Sequence, residues 1–285
     1  TPSPVSVVVP ATATWLPTRT AREYPATVSS GPPPEMFNRL AMVGVWRIRA
    51  GEQPGCTATV EWVTTDATTD VTRWLARTEF LDHDDAAVQD FARDAVGDAT
   101  EHREMAIRLF YRVRDGFWYD PYADSGERET FAASHVVTTD RNWCVPKSIL
   151  LTAAARSLGL PARLGFADVR NHLQSERLLE KMGTDLFVFH GFTEFLLEDQ
   201  WIKASPAFNL EMCERFDTKP LDFDGHHDAL FHEHDQHGNR HMEYVNQRGS
   251  FDDFPYDEMR AAFDNAYPDS ITTDPDQPDQ AFARP

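Results

Sequence analysis

Asn142-Trp143-Cys144-Val145-Pro146-Lys147-Ser148-Ile149-Leu150-Leu151-Thr152-Ala153-Ala154-Ala155-Arg156-Ser157-Leu158-Gly159 is the stretch around which the rest of the chain can be read. Pro146 suits a first helical turn, where its missing N–H costs nothing, and Gly159 is a natural stop. Between them Ile149, Leu150, Ala153, Ala154 and Leu158 recur at helical spacing, which predicts a helix over 145–158. The small side chains of Ala153, Ala154 and Ala155 allow close neighbours, so this helix is expected at the centre of the fold, packed against a sheet. Cys144 precedes its first turn. Unpaired backbone N–H groups and the helix dipole there favour a thiolate over a thiol, and the same N–H groups could stabilise an oxyanion. A buried structural cysteine is the plainer alternative.

Upstream, Asp84 reads as an N-cap, followed by Val88, Phe91, Ala92, Ala95 and Val96 at helical spacing up to Gly97. Met105, Leu109, Phe110 and Val113 mark a second helix that ends at Gly116. An aromatic loop, Phe117-Trp118-Tyr119-Asp120-Pro121-Tyr122, comes next. Downstream, strands are predicted over 162–169, 186–190 continuing through Leu197, and 201–204, with a turn at Asp199-Gln200. Helices first and strands second point to an α+β fold with an antiparallel sheet, rather than alternating βαβ units.

His190 lies on the most apolar of these strands, between Phe189 and Gly191-Phe192. A titratable side chain there is either a satisfied core histidine or a functional one. A cysteine at a helix start with a histidine on a later strand is the pairing that Cys/His acyl transfer requires.

Three blocks resemble the transglutaminase-like superfamily, of papain-like fold, in its small bacterial branch. Asn142 to Lys147, running into Ala153-Ala154-Ala155-Arg156-Ser157-Leu158-Gly159-Leu160-Pro161-Ala162-Arg163, is similar to the family's nucleophile helix and the turn that follows it. His190-Gly191-Phe192-Thr193-Glu194 is similar to its histidine strand. Trp201-Ile202-Lys203-Ala204-Ser205-Pro206 is similar to a strand that in the family ends in Asp-Pro. The resemblance implies a triad in which Cys144 forms an acyl-enzyme, His190 shuttles the proton and a carboxylate orients His190. Here Ser205 stands where the family has Asp. A hydroxyl can accept the imidazole N–H but brings no negative charge. A two-residue turn at Asp199-Gln200 would pair Glu194 with Ser205 and Asn209 with His190, which makes Asn209 a second candidate orienter.

Trp143, Trp118 and Tyr119 could line such a site, though core filling explains each of them as well. Asp168-Val169-Arg170-Asn171-His172 is a polar cluster that could hold a polar substrate end or simply be a hydrogen-bonded loop.

The remaining sequence bounds the answer. Lys plus Arg total 27 against 46 Asp plus Glu, a net charge of -19, which disfavours nucleic acid and anionic membranes as partners. No apolar run approaches a membrane span, and Val5 to Val9 is short, proline-broken and without a basic flank, so neither a membrane segment nor a signal peptide is expected. Three cysteines, Cys56, Cys144 and Cys213, suit a reducing cytoplasm rather than a disulfide framework.

Residues 1–77 are expected to be a proline-rich leader with a small β element, from Met42 to Trp46 and Thr59 to Val63. Residues 78–268 are expected to be the transglutaminase-like domain, and 269–285 a disordered acidic tail. From Glu211 onward the chain reads as polar and irregular. His226, His227, His232, His234, His237 and His241, interleaved with Asp224, Asp228, Glu233 and Asp235, have the ligand types of a metal site. No Cys or His-Glu-x-x-His helix accompanies them, so a solvated acidic loop is the better reading, with neither metal nor cofactor expected. The functional expectation is a cysteine enzyme acting on an amide, ester or thioester of a peptide, protein or small molecule. The alternative is a scaffold module of the same fold that has lost turnover with its triad carboxylate.

Overall fold

In a computed structural model of the chain, the residues described are 44–49, 59–64, 71–172, 174–231, 237–267, 279, 281 and 282. They fall in two units, Thr1–Asp70 and Val71–Pro285. In the first, β1 (Gly44–Arg49) and β2 (Thr59–Thr64) pair antiparallel, Gly44 opposite Thr64 and Arg49 opposite Thr59. The proline-rich leader up to residue 43 and Cys56 lie outside the described residues.

The second unit opens with helices. The N-cap of α1 (Ala86–Val96) is Asp85, one residue later than expected; its carboxylate accepts the Ala87 N–H at 2.8 Å, and Gly97 ends the helix at φ 56°. Val88, Phe91, Ala92 and Val96 form its buried stripe. After α2 (His102–Gly116), the aromatic loop begins as a short strand, β3 (Trp118–Tyr119). A 3₁₀ turn at Arg128–Phe131 and α3 (Ala133–Val136) lead to β4 (Arg141–Asn142), which pairs parallel with β3. Then comes α4 (Cys144–Ser157), in which every residue from Cys144 to Arg156 is buried. This helix is central because α1, α2 and α3 pack on it from one side and the sheet from the other.

The sheet strands are β5 (Ala162–Asn171), β6 (Leu186–Leu197), which follows the short α5 (Glu176–Met182), and β7 (Gln200–Ala204). After α6 (Leu210–Arg215), β8 (Met242–Phe251) completes an antiparallel sheet of order β7-β6-β5-β8, and α7 (Tyr256–Ala266) follows. The fold is therefore α+β, helices packed on an antiparallel sheet. The expectation of an irregular chain beyond Glu211 is overturned: β8 is half-exposed along one edge of the sheet, so its polar residues hid an authentic strand.

A second correction concerns the β6–β7 turn. Its central residues are Glu198 and Asp199, at φ 49° and 64°, the left-handed pair a two-residue hairpin demands. Leu197 therefore pairs with Gln200 and Glu194 with Lys203. The slip is two residues, not one, so each side chain keeps its face and Ser205 still shares a face with His190.

A fully buried helix carries polar groups into the core, and each finds partners. Thr152 Oγ1 meets Thr193 Oγ1 at 2.9 Å, and Ser148 Oγ donates to the Cys144 carbonyl at 2.8 Å. Arg156 donates to the carbonyls of Ala76, Ala162 and Asp252. Lys147, wholly buried, spends all three ammonium protons on the carbonyls of Arg114, Phe117 and Ala207, at 2.9, 2.9 and 2.7 Å. That side chain ties the start of α4 to the end of α2 and to the segment after β7. Among the described residues no helix is long and apolar enough to cross a membrane.

Candidate active site

Cys144 is the first residue of α4, with Trp143 in extended conformation as its cap and no side chain closing the helix end. Backbone N–H groups of Gly191, Val145 and Cys144 itself point to its sulfur. Gly191 is required there: a Cβ would stand 3.1 Å from Val145 Cα and 3.4 Å from the Cys144 carbonyl oxygen. This close passage of β6 across the helix start brings the next residue back, His190, to the thiol's cavity. Cys144, His190, Tyr119, Trp143 and Phe187 line that cavity together.

His190 reaches the cavity through a bulge. Ala167 pairs with His190 but Val169 pairs with Phe187, so Val188 and Phe189 together oppose Asp168. The extra residue reverses the strand's alternation, and Phe187 and His190, three apart, come to line one space. Phe189 takes up the distortion at φ 56°, unusual for a bulky side chain. Asp168 holds it: one oxygen accepts the Phe189 N–H at 3.1 Å and Arg248 Nε at 2.5 Å, the other accepts Asn246 Nδ2 at 3.2 Å. The Arg248 guanidinium also lies over the Phe189 ring at 4.2 Å. The polar cluster around Asp168 thus supports the histidine strand from behind.

His190 Nε2 lies 3.1 Å from Ser205 Oγ, both groups buried. The other candidate orienter does not reach the ring. Asn209 Oδ1 accepts the Tyr119 N–H at 3.0 Å, and its amide donates to Glu211 at 2.8 Å, so Asn209 braces the aromatic loop instead. Phe231 packs on the imidazole at 4.7 Å between ring centres. Burial alone pushes His190 down to about 3, with no charged group contributing.

The expected thiolate is overturned. Burial pushes the Cys144 thiol up to about 11, against the three N–H groups and the Lys147 ammonium, which pull it down. Burial therefore favours the neutral form of both side chains, and no hydrogen bond joins them in this structure. Such a pair can still act if the proton leaves sulfur as the sulfur attacks; Ser205 occupies Nε2, which leaves Nδ1 as the ring nitrogen without a hydrogen-bond partner among the described residues.

Other residues of the motif blocks are structural. Arg163 and Glu194, opposite one another on β5 and β6, form an ion pair at 2.6 Å; Ser250 donates to the same carboxylate at 2.9 Å, and Arg163 stacks on Trp201 at 3.9 Å. Trp143 and Tyr119 border the cavity, whereas Trp118 turns away and donates its Nε1 to the Phe282 carbonyl at 2.7 Å. Sequence reading missed the bracing by Lys147 and Gly191. A lysine inside an otherwise apolar helix was the signal for the first; nothing in the sequence marked the second.

In the histidine-rich stretch, His227 Nδ1 pairs with Asp224 at 2.8 Å, His237 pairs with Asp217, and His241 is buried beside Phe208 and Phe231. His232, His234 and Asp235 lie outside the described residues. Among the described residues, no group of three His, Cys, Asp or Glu side chains could hold a metal ion.

No curated protein matches this chain. A candidate cysteine protease from Cytophaga hutchinsonii is a solved structure with 17% sequence identity and a TM-score of 0.38, covering 50% of this chain and 43% of its own, so this chain spans less than half of that protein. The model of the transglutaminase-like superfamily matches residues 89–206, from α1 to the end of β7. Residues 89–206, which carry Cys144, His190 and Ser205, belong to the transglutaminase-like superfamily.

Proposed function

We propose that the chain is a cysteine acyl-transfer enzyme in which Cys144 attacks an amide, ester or thioester carbonyl. The observation that supports this most is the shared cavity of Cys144 and His190, with Nε2 held by Ser205 and backbone N–H groups gathered at the sulfur. As the carbon–sulfur bond forms, the thiol proton passes to His190 Nδ1, while Nε2–H donates to Ser205 Oγ. The N–H groups of Val145 and Gly191 are placed to meet the oxyanion. Collapse expels the amine, alcohol or thiol, which takes the proton from Nδ1, and the acyl group stays on sulfur. Water or an acceptor amine, deprotonated by the same nitrogen, then releases it. Because both groups start neutral, the step needs no standing thiolate. The imidazolium and oxyanion it creates are costly in so buried a site, and the backbone N–H groups and Ser205 are what would offset that cost.

The test is acylation by an activated ester, read by intact mass and peptide mapping. An adduct on Cys144 that is slowed by His190→Ala and absent in Cys144→Ala supports the reading; adducts on other residues only, or none, sink it. A second reading, a transglutaminase-like scaffold without turnover, draws on one observation: among the described residues no carboxylate is hydrogen-bonded to His190, and a serine occupies the orienting place. It predicts a correctly folded protein that acquires no adduct.

A further inference from the structure

A second cavity borders the first: it shares Tyr119, Leu178, Phe187 and His190 with it and adds Phe208 and Phe282. Its lining is mostly aromatic and aliphatic. In this closed form it has about 30 Å³ of room for water-sized occupants, enough for roughly two waters and for no side chain. One wall differs in kind from the rest. Phe282 comes from the far C-terminal region, where a loose acidic tail was expected, yet it is 6% exposed and packs on Tyr119, Tyr122 and Phe216 at 6.3, 5.9 and 5.4 Å between ring centres.

Its attachment resembles that of a bound peptide. Trp118 Nε1 donates to the Phe282 carbonyl at 2.7 Å, and Arg215 donates to the Ala281 carbonyl at 3.0 Å. The Asp279 carboxylate accepts from Tyr122 OH at 2.9 Å and from Ser175 Oγ at 2.7 Å, so it clasps the aromatic loop to the N-cap of α5. Leu178 of α5 borders both cavities, and Met182 of α5 borders the one at the thiol. The clasp therefore fixes the helix that covers the site. One polar atom at this lining is unsatisfied: the Oε1 of Gln174, a lining residue, is buried with no hydrogen-bond partner among the described residues, while its amide nitrogen donates to the Thr184 carbonyl at 3.1 Å.

We infer that the aromatic cavity beside His190 is a subsite for an aromatic side chain of a peptide or protein substrate, and that Asp279, Ala281 and Phe282 close it as a resident stand-in for that substrate. The inference rests on the acyl-transfer reading for its purpose, though not for its geometry. Release of this segment removes one wall and frees the α5 N-cap. An incoming segment would place its own ring there, offer carbonyls to Trp118 and Arg215, and give an N–H to Gln174 Oε1.

The experiment measures alkylation of Cys144 by iodoacetamide in the parent chain and in an Asp279→Ala/Phe282→Ala variant, at one mildly alkaline pH. The variant is expected to label about tenfold faster, as local opening becomes easier. A synthetic peptide covering residues 277–285, added to the variant, should restore protection, and the same peptide with Phe282→Ala should not. Unchanged labelling in the variant, or equal protection by both peptides, overturns the inference. Neither readout needs turnover. Faster labelling without an acyl adduct keeps the subsite and removes the enzyme; an acyl adduct with unchanged labelling does the reverse.

Discussion

Cys144 and Cys213 are both free, both buried and both pushed upward by burial, yet their surroundings differ in everything else. Cys213 sits in α6, where among the described residues the Phe208 carbonyl at 4.0 Å and the Thr218 side chain are the hydrogen-bonding neighbours of its sulfur. Cys144 has three backbone N–H groups at its sulfur, a cavity before it and an imidazole across that cavity. The direction in which burial moves the thiol does not separate the two. What separates them is room for a carbonyl and a base to take the proton, so the contrast teaches that this site depends on placement rather than on a preformed thiolate.

The widest gap should come from removing the base. His190→Ala is expected to slow acylation of Cys144 by about 10³-fold, whereas Cys213→Ala should leave that rate within about twofold; equal losses in stopped-flow assays of the two variants would erase the contrast. Next is the brace near both sulfurs. Lys147→Met leaves three buried carbonyls without their donor and should lower stability by about 3 kcal/mol in urea unfolding. A loss below about 1 kcal/mol would mean that water replaces the ammonium.

The pH dependence follows from His190. Its folded value lies near 3, below the ordinary 6.5, so the unfolded chain takes the proton first. This stability is complete above pH 6.5 and falls as the pH drops toward 3. Between pH 6.5 and 5 the parent should lose about 2 kcal/mol that a His190→Phe variant retains, measured as the difference between their urea midpoints. The smallest effect tests the orienting serine. Ser205→Asp should raise the His190 titration and quicken Cys144 labelling at pH 7 by about tenfold; an unmoved imidazole resonance in NMR titration would show that the side chain at 205 does not tune the ring.

The helices and strands that position the site were legible because burial writes periodicity into the chain. Val88, Phe91, Ala92 and Val96 in α1 and the run from Ile149 to Leu158 around α4 announce themselves. Cys144, His190 and Ser205 could be named from their setting and from family resemblance, and Ser205 kept its face even though the hairpin register was misread by two residues. What could not be read was set by contacts between distant segments. The bulge at Phe189 depends on Asp168 from another strand, and Asn209 is bound to Tyr119, 90 positions away. β8 escaped notice because an edge strand half in solvent lacks the apolar alternation that marks a central one. Nor could the thiol's acidity be read: a helix start is visible in sequence, but the dryness around it is not.

The same bulge carries a consequence for how the molecule could be tuned from outside. Asp168 is itself steadied by Asn246 and Arg248, which belong to the outermost strand of the sheet. A change on that rim, far along the chain and outside both cavities, would travel through one carboxylate to the peptide unit that aims the imidazole. The aim of the imidazole thus rests in part on side chains at the margin of the sheet.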